Sequence, residues 1–440
     1  MNCIARKVHQ KIACNSALNY HLRKFLFTST SCPVLNQTAS EHQDLNNNNS
    51  DLSKDLYTRI KLSGPISVAN YMKTVLTHPT KGYYTTKDVF GQKGDFITSP
   101  EVSQLFGEMI GLWIITECNK IHYKSFQIVE LGPGRGTLTH DILRVFRQLG
   151  WTDRISAINY VEVSPVLAKI QKENLCSTVN SEEITAPSNK SYQFGKTKDK
   201  IEIYWYKSIA DLPEGFTVFI AQEFFDALPI HKFQKTKDGW FEVLVDVDPN
   251  SEKVPKFRYV LAKTDACDSI LDKSDKREHV EISPEAMNIM RYISSAITQN
   301  GGFSLFVDYG HNGEKTDTFR AFRDHKQCDP LKDPGTADLT ADVDFALLKK
   351  VAKESNKLLC YGPLAQREFL KDTGIDIRLM NLCKNATEEE KQQLQSGYDK
   401  IMNPNEMGTC FKVVSMFPYV LKDYLKKLPV NGFEKYKSED

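Results

Sequence analysis

The segment Glu130-Leu131-Gly132-Pro133-Gly134-Arg135-Gly136 has the composition of a ligand-binding turn. It follows the apolar, β-prone run Phe126-Gln127-Ile128-Val129. It precedes Thr137 to Leu149, where Leu138, Ile142, Leu143, Val145, Phe146 and Leu149 recur at helical spacing. Strand, glycine turn and helix in that order open a βαβ unit. Glycines there allow a tight turn and a close backbone approach to a ligand, and the helix start supplies unpaired N–H groups. In a dinucleotide enzyme those groups face a pyrophosphate. Here the spacing is G-x-G-x-G, and the acidic Glu130 stands two positions before the first glycine. A carboxylate is awkward beside a pyrophosphate and suits a ligand carrying an ammonium and a sulfonium. Glu162 lies near the end of the next strand candidate, Ala157 to Val163, where it can take both hydroxyls of a ribose. Together these acids point to a nucleoside with a cationic tail, and S-adenosylmethionine fits. Each acid also has a plainer reading, as a strand-end or helix-preceding carboxylate.

A second acidic pair follows the fully apolar run Phe216 to Ala221, in Gln222-Glu223-Phe224-Phe225-Asp226-Ala227-Leu228-Pro229. Ligands of open α/β sheets lie beyond the carboxyl ends of the strands, which puts Glu223 and Asp226 near a transferred methyl group. Their alternative role is to cap the loop, and Phe224 and Phe225 are candidates for ligand wall or core. Methyl transfer needs little acid–base chemistry, because the sulfonium is already an activated leaving group; the protein must align acceptor and methyl and exclude water. A guanidinium acceptor stays cationic and needs carboxylates to bind it and to bias its charge. Glu223 with Asp226 is compatible with that acceptor.

The elements that must position these residues are α/β in pattern. Further strands are expected at Ile201 to Tyr206 and at Gly302 to Val307, the latter ending in Asp308-Tyr309-Gly310. The alternation predicts a doubly wound, mostly parallel, Rossmann-like sheet. Helices are expected on its N-terminal side (62–120), one capped by Ser67 and another by Ser99 with Pro100 in its first turn. Trp240 to Val245 and Phe257 to Leu261 suggest an antiparallel β insertion near 234–285 within a cofactor-binding core at 121–310. Residues 311–440 are left as an acceptor or cover part.

With 440 residues, 40% hydrophobic and 26% charged, the chain excludes a fully disordered, collagenous or coiled-coil protein, and no apolar run is long enough for a membrane span. A net charge of +1 gives no footprint for nucleic acid or anionic lipid. Residues 1–40 contain no acid but hold Arg6, Lys7, Lys11, Arg23 and Lys24 beside an apolar stripe, the profile of a mitochondrial transit peptide. Such a presequence is expected to be removed and to lie outside the fold. Residues 41–61, rich in Asn, read as a flexible linker. The seven cysteines beyond residue 40 are scattered without a CxxC pair, which argues against a disulfide framework and a structural zinc site; no metal is expected.

Several motifs in one order resemble the MidA-type class I methyltransferases: G-P-I-S at 64–67, G-D-F-I-T-S-P-E at 94–101, E-L-G-P-G-R-G at 130–136, E-F-F-D-A-L-P at 223–229, D-Y-G at 308–310 and D-L-T-A-D-V-D-F at 338–345. The resemblance runs from about Leu62 to Pro418. It places the cofactor loop on Glu130, Gly132, Gly134 and Gly136 and the ribose acid on Glu162. Gln222 departs from the family, which usually has Asn there. The resemblance further implies a mitochondrial matrix enzyme that symmetrically dimethylates an arginine on a matrix-arm subunit of NADH:ubiquinone oxidoreductase, respiratory complex I, and so serves its assembly. The alternatives are a non-catalytic assembly chaperone, a nicotinamide oxidoreductase, disfavoured by the glycine spacing and Glu130, and a nucleic-acid methyltransferase, disfavoured by the lack of an N-P-P-Y-like run.

Overall fold

The structure, a computed structural model, describes residues 25–26, 49–86, 98–177, 190–251, 255–354 and 358–436. Strand β1 (Phe126–Leu131) is buried along its whole length and lies at the centre of the main sheet. On one side it pairs in parallel with β2 (Ile155–Val161), which pairs in parallel with β4 (Glu202–Tyr206); β3 (Gln193–Lys196) closes that edge antiparallel. On the other side β1 pairs in parallel with β5 (Thr217–Gln222), and β5 with β10 (Gly302–His311). The expected doubly wound, mostly parallel sheet is therefore present. Its order reverses between β2 and β5, leaving a crevice at the carboxyl end of β1.

The C-terminal residues do more than cover this sheet. Strand β12 (Phe411–Pro418) inserts antiparallel between β10 and β11 (Leu358–Ala365), so 311–440 completes the far edge. Near-continuous apolar runs bury both strands: Val413, Val414, Met416 and Phe417 of β12 and Leu359 and Cys360 of β11 are fully enclosed.

Helix α3 (Gln104–Lys120) packs against α4 (Thr137–Leu149) on one face of the sheet. Its Trp113 meets Phe303, Phe369 and Phe417 edge-on. The helix does not start at Ser99, as the sequence suggests. Thr98 is the N-cap residue of a single turn, Ser99–Val102. Ser103 is then extended and caps α3 by accepting from the Leu105 N–H. That break carries the Ser99 turn over the end of β5. The predicted Ser67 cap is present on α2 (Val68–Thr77), where its hydroxyl accepts from the Asn70 N–H.

Strands β6 (His231–Thr236), β7 (Gly239–Val247), β8 (Phe257–Ala262) and β9 (His279–Ile282) form the expected antiparallel insertion, joined by the two-residue strand Ile66–Ser67. A second expectation is corrected beside it. The flexible linker assigned to 41–61 is instead helical from Asn49 to Ser63 (α1), and residues 41–48 lie outside the described residues. Leu52, Leu56 and Ile60, four residues apart, form one buried stripe packed with α2 and the insertion. That buried stripe outweighs the poor helix propensity of the Asn and Asp residues.

The first forty residues also contribute to the fold. Phe25 and Leu26 are 1% and 3% exposed, although their segment was expected to lie outside it. The buried Arg378 donates to the Phe25 carbonyl at 3.1 Å, and Asn381 to the Leu26 carbonyl at 2.6 Å. The remainder of 1–40 lies outside the described residues, as do residues 94–97 of the G-D-F-I-T-S-P-E motif.

Candidate active site

The glycine turn caps β1 and leads into α4. Gly132, Gly134 and Gly136 all have positive φ, at 60°, 56° and 81°. They do different work. A Cβ on Gly132 would lie 2.7 Å from the Phe224 ring and one on Gly136 2.8 Å from Leu175, so both permit packing. A Cβ on Gly134 would meet nothing within 4 Å and would project into open space. Of the three, Gly134 is thus the one whose side-chain position is open.

Beside the turn lies a cavity lined by Glu130, Gly132, Gly134 and Arg135 on one side and by Thr98, Glu101, Gln222 and Glu223 on the other. The parallel register of Leu131 with Ala221 sets Gln222 level with Gly132. Two of the four predicted acids, Glu130 and Glu223, thus share one cavity. Glu162 and Asp226 are not among its lining. Glu162 follows β2 and accepts from the Ser164 N–H at 2.7 Å and from Gln171 Nε2 at 3.0 Å. Asp226 turns to the hydroxyl of Thr340 at 2.8 Å.

The backbone at Glu223 is strained. Its φ is +52°, in the left-handed region that a side chain with a Cβ seldom adopts. Asp308, near the end of β10, holds the strained turn. Its Oδ2 accepts from three successive N–H groups, of Phe224 at 3.1 Å, Phe225 at 2.9 Å and Asp226 at 3.3 Å. The Glu223 Oε1 accepts from the Ser99 N–H at 3.0 Å and from Gln222 Nε2 at 2.8 Å. Phe225 is core at 4% exposed, while Phe224 is half-buried against Gly132.

Burial dominates the ionisation of these acids. It pushes Glu130 up to about 8, against the pull of a hydrogen bond from the Thr139 hydroxyl. It pushes Glu162 up to about 7. It pushes Glu223 up to about 8, with Asp226 and Glu101 adding repulsion, and Asp226 up to about 6. A cationic ligand placed among them would restore their charge.

Gln171, which the motif reading did not single out, ties the site together. Its Nε2 donates to Glu162 and to the Gly134 carbonyl at 2.7 Å, and its Oε1 accepts from the Trp205 indole at 2.8 Å. The signal was a polar residue on the apolar stripe of α5 (Pro165–Leu175), with Leu167, Ala168 and Leu175. Thr139 and the Tyr84 hydroxyl, which donates to Asp338 at 2.7 Å, carried no such signal.

The topology, the glycine turn at the β1 end and the acid at the β2 end define the class I methyltransferase arrangement. Comparison with known proteins agrees. Residues 109–364 match the family described as S-adenosyl-L-methionine-dependent methyltransferase. Among curated relatives, the mouse "Protein arginine methyltransferase NDUFAF7, mitochondrial" is 49% identical over 371 residues, 83% of this chain and 84% of its own length. The Drosophila melanogaster homologue is 44% identical over 389 residues, 87% and 88% of the two chains. A Burkholderia thailandensis protein solved with S-adenosyl-homocysteine bound superposes with a TM-score of 0.66 at 23% identity, over 84% of this chain and 92% of that one, and shares the fold. The chain belongs to this methyltransferase family, and its cofactor is S-adenosylmethionine.

Proposed function

We propose that the chain is a mitochondrial matrix protein arginine methyltransferase that symmetrically dimethylates an arginine on a matrix-arm subunit of respiratory complex I and so serves its assembly. The observation that carries the reading is Glu223, a half-buried carboxylate on a strained backbone, in the same cavity as the glycine turn. The named function and mitochondrial address of the relatives support it, as does the acid-free basic segment at 1–40.

Glu130, the N–H groups of the glycine turn and Glu162 hold the cofactor, Glu162 through the ribose hydroxyls. S-adenosylmethionine supplies a methyl already activated by its sulfonium. Glu223 holds the acceptor guanidinium in line with that methyl. Asp226 and Asp308 act from behind, fixing the loop and adding negative field. Bound there, the cofactor would supply the methyl for a guanidinium nitrogen, with a neutral thioether as by-product. The nitrogen's surplus proton passes to Glu223 and then to water.

The test is incubation with methyl-tritiated S-adenosylmethionine and a matrix extract from mitochondria lacking the enzyme, followed by hydrolysis and amino-acid analysis. Label in symmetric dimethylarginine, on a complex I subunit, is the expected result. Label in another amino acid, or none from a chain that binds the cofactor, overturns the reading and favours an assembly chaperone.

A further inference from the structure

The wall of the cavity opposite the glycine turn includes a residue whose side-chain oxygen is unpartnered among the described residues. Gln222 is the last residue of β5 and is 8% exposed. Its Nε2 is committed to Glu223 at 2.8 Å, which fixes which end of the amide is which. Its Oε1 is buried and has no hydrogen-bond partner among the described residues. Glu223 is organised in a complementary way: both donors, Ser99 N–H and Gln222 Nε2, fall on Oε1, and no hydrogen bond among the described residues falls on its Oε2. Two acceptors, one neutral and one acidic, are therefore left over on adjacent residues of one cavity wall.

We infer that the Gln222 amide oxygen determines acceptor specificity by taking one N–H of the incoming guanidinium while Glu223 takes another. This rests on the arginine methyltransferase reading above. The chemistry favours a guanidinium over the cofactor's ammonium. A guanidinium presents five N–H donors in a planar fork, more than one carboxylate can satisfy. Glu130, on the glycine-turn side, is already available to the cofactor's cation. A neutral acceptor also completes the recognition without adding charge to a group of acids, Glu101, Glu223 and Asp226, that already repel one another. A buried acceptor deprived of its donor is costly, so the residue discriminates against acceptors that lack the second N–H.

The test uses the full chain, methyl-tritiated S-adenosylmethionine, and a degenerate peptide library with one arginine per peptide. Gln222→Met removes the oxygen at nearly constant volume. The expected result is a rise of about tenfold to hundredfold in peptide KM, with S-adenosylmethionine affinity by calorimetry unchanged within about twofold. Retained cofactor affinity also shows that the variant is folded. Should the Met variant not fold, Gln222→Leu removes the oxygen with a shorter apolar side chain, and the same pattern is expected. An unchanged peptide KM overturns the inference, as does a parallel loss of cofactor affinity, which would assign Gln222 to the cofactor. Parent activity on arginine is read separately. Its absence would overturn the arginine reading, whereas a normal parent with a normal variant would overturn only the role of Gln222.

Discussion

At the scale of single residues, the open space above Gly134 makes the sharpest prediction. Gly134→Val places a branched side chain at φ +56° in the open space of the proposed cofactor site. Calorimetry is expected to show loss of S-adenosylmethionine binding in a protein whose circular dichroism is unchanged; retained affinity would remove the turn from the cofactor site. Glu223→Gln keeps the shape and the acceptance from Ser99 but loses the charge. Turnover should fall at least tenfold while cofactor affinity changes less than threefold, and normal turnover would return Glu223 to a purely structural role. The raised acids also predict a pH dependence. Glu130 near 8 and Glu162 near 7 are favoured protonated in the free protein, and their charged forms are favoured by a cationic, hydroxyl-bearing ligand. Binding should therefore release protons, and affinity should rise from pH 6 to 8.5. Calorimetry in buffers of different ionisation enthalpy measures that release. The stability of the free protein runs the other way. Carboxylates whose folded pKa is raised contribute stability that is fully present below the unfolded pKa of about 4.5 and lost as pH rises through 7 to 8. Cofactor-free Tm should decline over that window.

At the scale of elements, α1 shows how composition misleads. Three asparagines precede it and a fourth is its first residue, and its Asp and Ser residues disfavour helix, yet Leu52, Leu56 and Ile60 decide the outcome by burying together. Leu56 is 1% exposed, so Leu56→Ala should destabilise the protein by about 2–5 kcal/mol in urea titration. A change below about 0.5 kcal/mol would mean that α1 lies loosely on the insertion. The strands and helices of the βαβ units were legible because each has a continuous apolar run or stripe bounded by glycine or proline. The break at Ser103 was not. Val102, Leu105 and Met109 keep a helical period across it, and only the competition between Ser103's own cap and the preceding turn interrupts the helix.

At the scale of the whole molecule, three chain segments remote in sequence meet at one buried ion network. Glu108 of α3 accepts from Arg144 at 3.0 Å and from Arg378 at 2.6 Å, and the Arg378 guanidinium lies 4.2 Å from the Phe25 ring centroid. Removing one member of such a network leaves buried charge uncompensated. Phe25 and Leu26 shield it from water, so a chain beginning at residue 28 should have a Tm several degrees below one beginning at residue 25. Equal Tm values by calorimetry would show that the N-terminal pair adds no stability.

What the sequence determined by itself was local. Glycine spacing and apolar periodicity identified the sheet and the glycine turn, and acids at strand ends made Glu130, Glu162 and Glu223 candidates, because those signals lie within a few residues of the groups they place. Tertiary structure alone decided what depends on distant partners. It set Glu223 on a strained backbone held by Asp308, turned Asp226 toward Thr340, left the Gln222 oxygen without a partner, and drew Phe25 and Leu26 into the core. Burial and hydrogen-bond satisfaction are properties of what surrounds a residue, and here the surroundings come from strands and helices tens to hundreds of positions away.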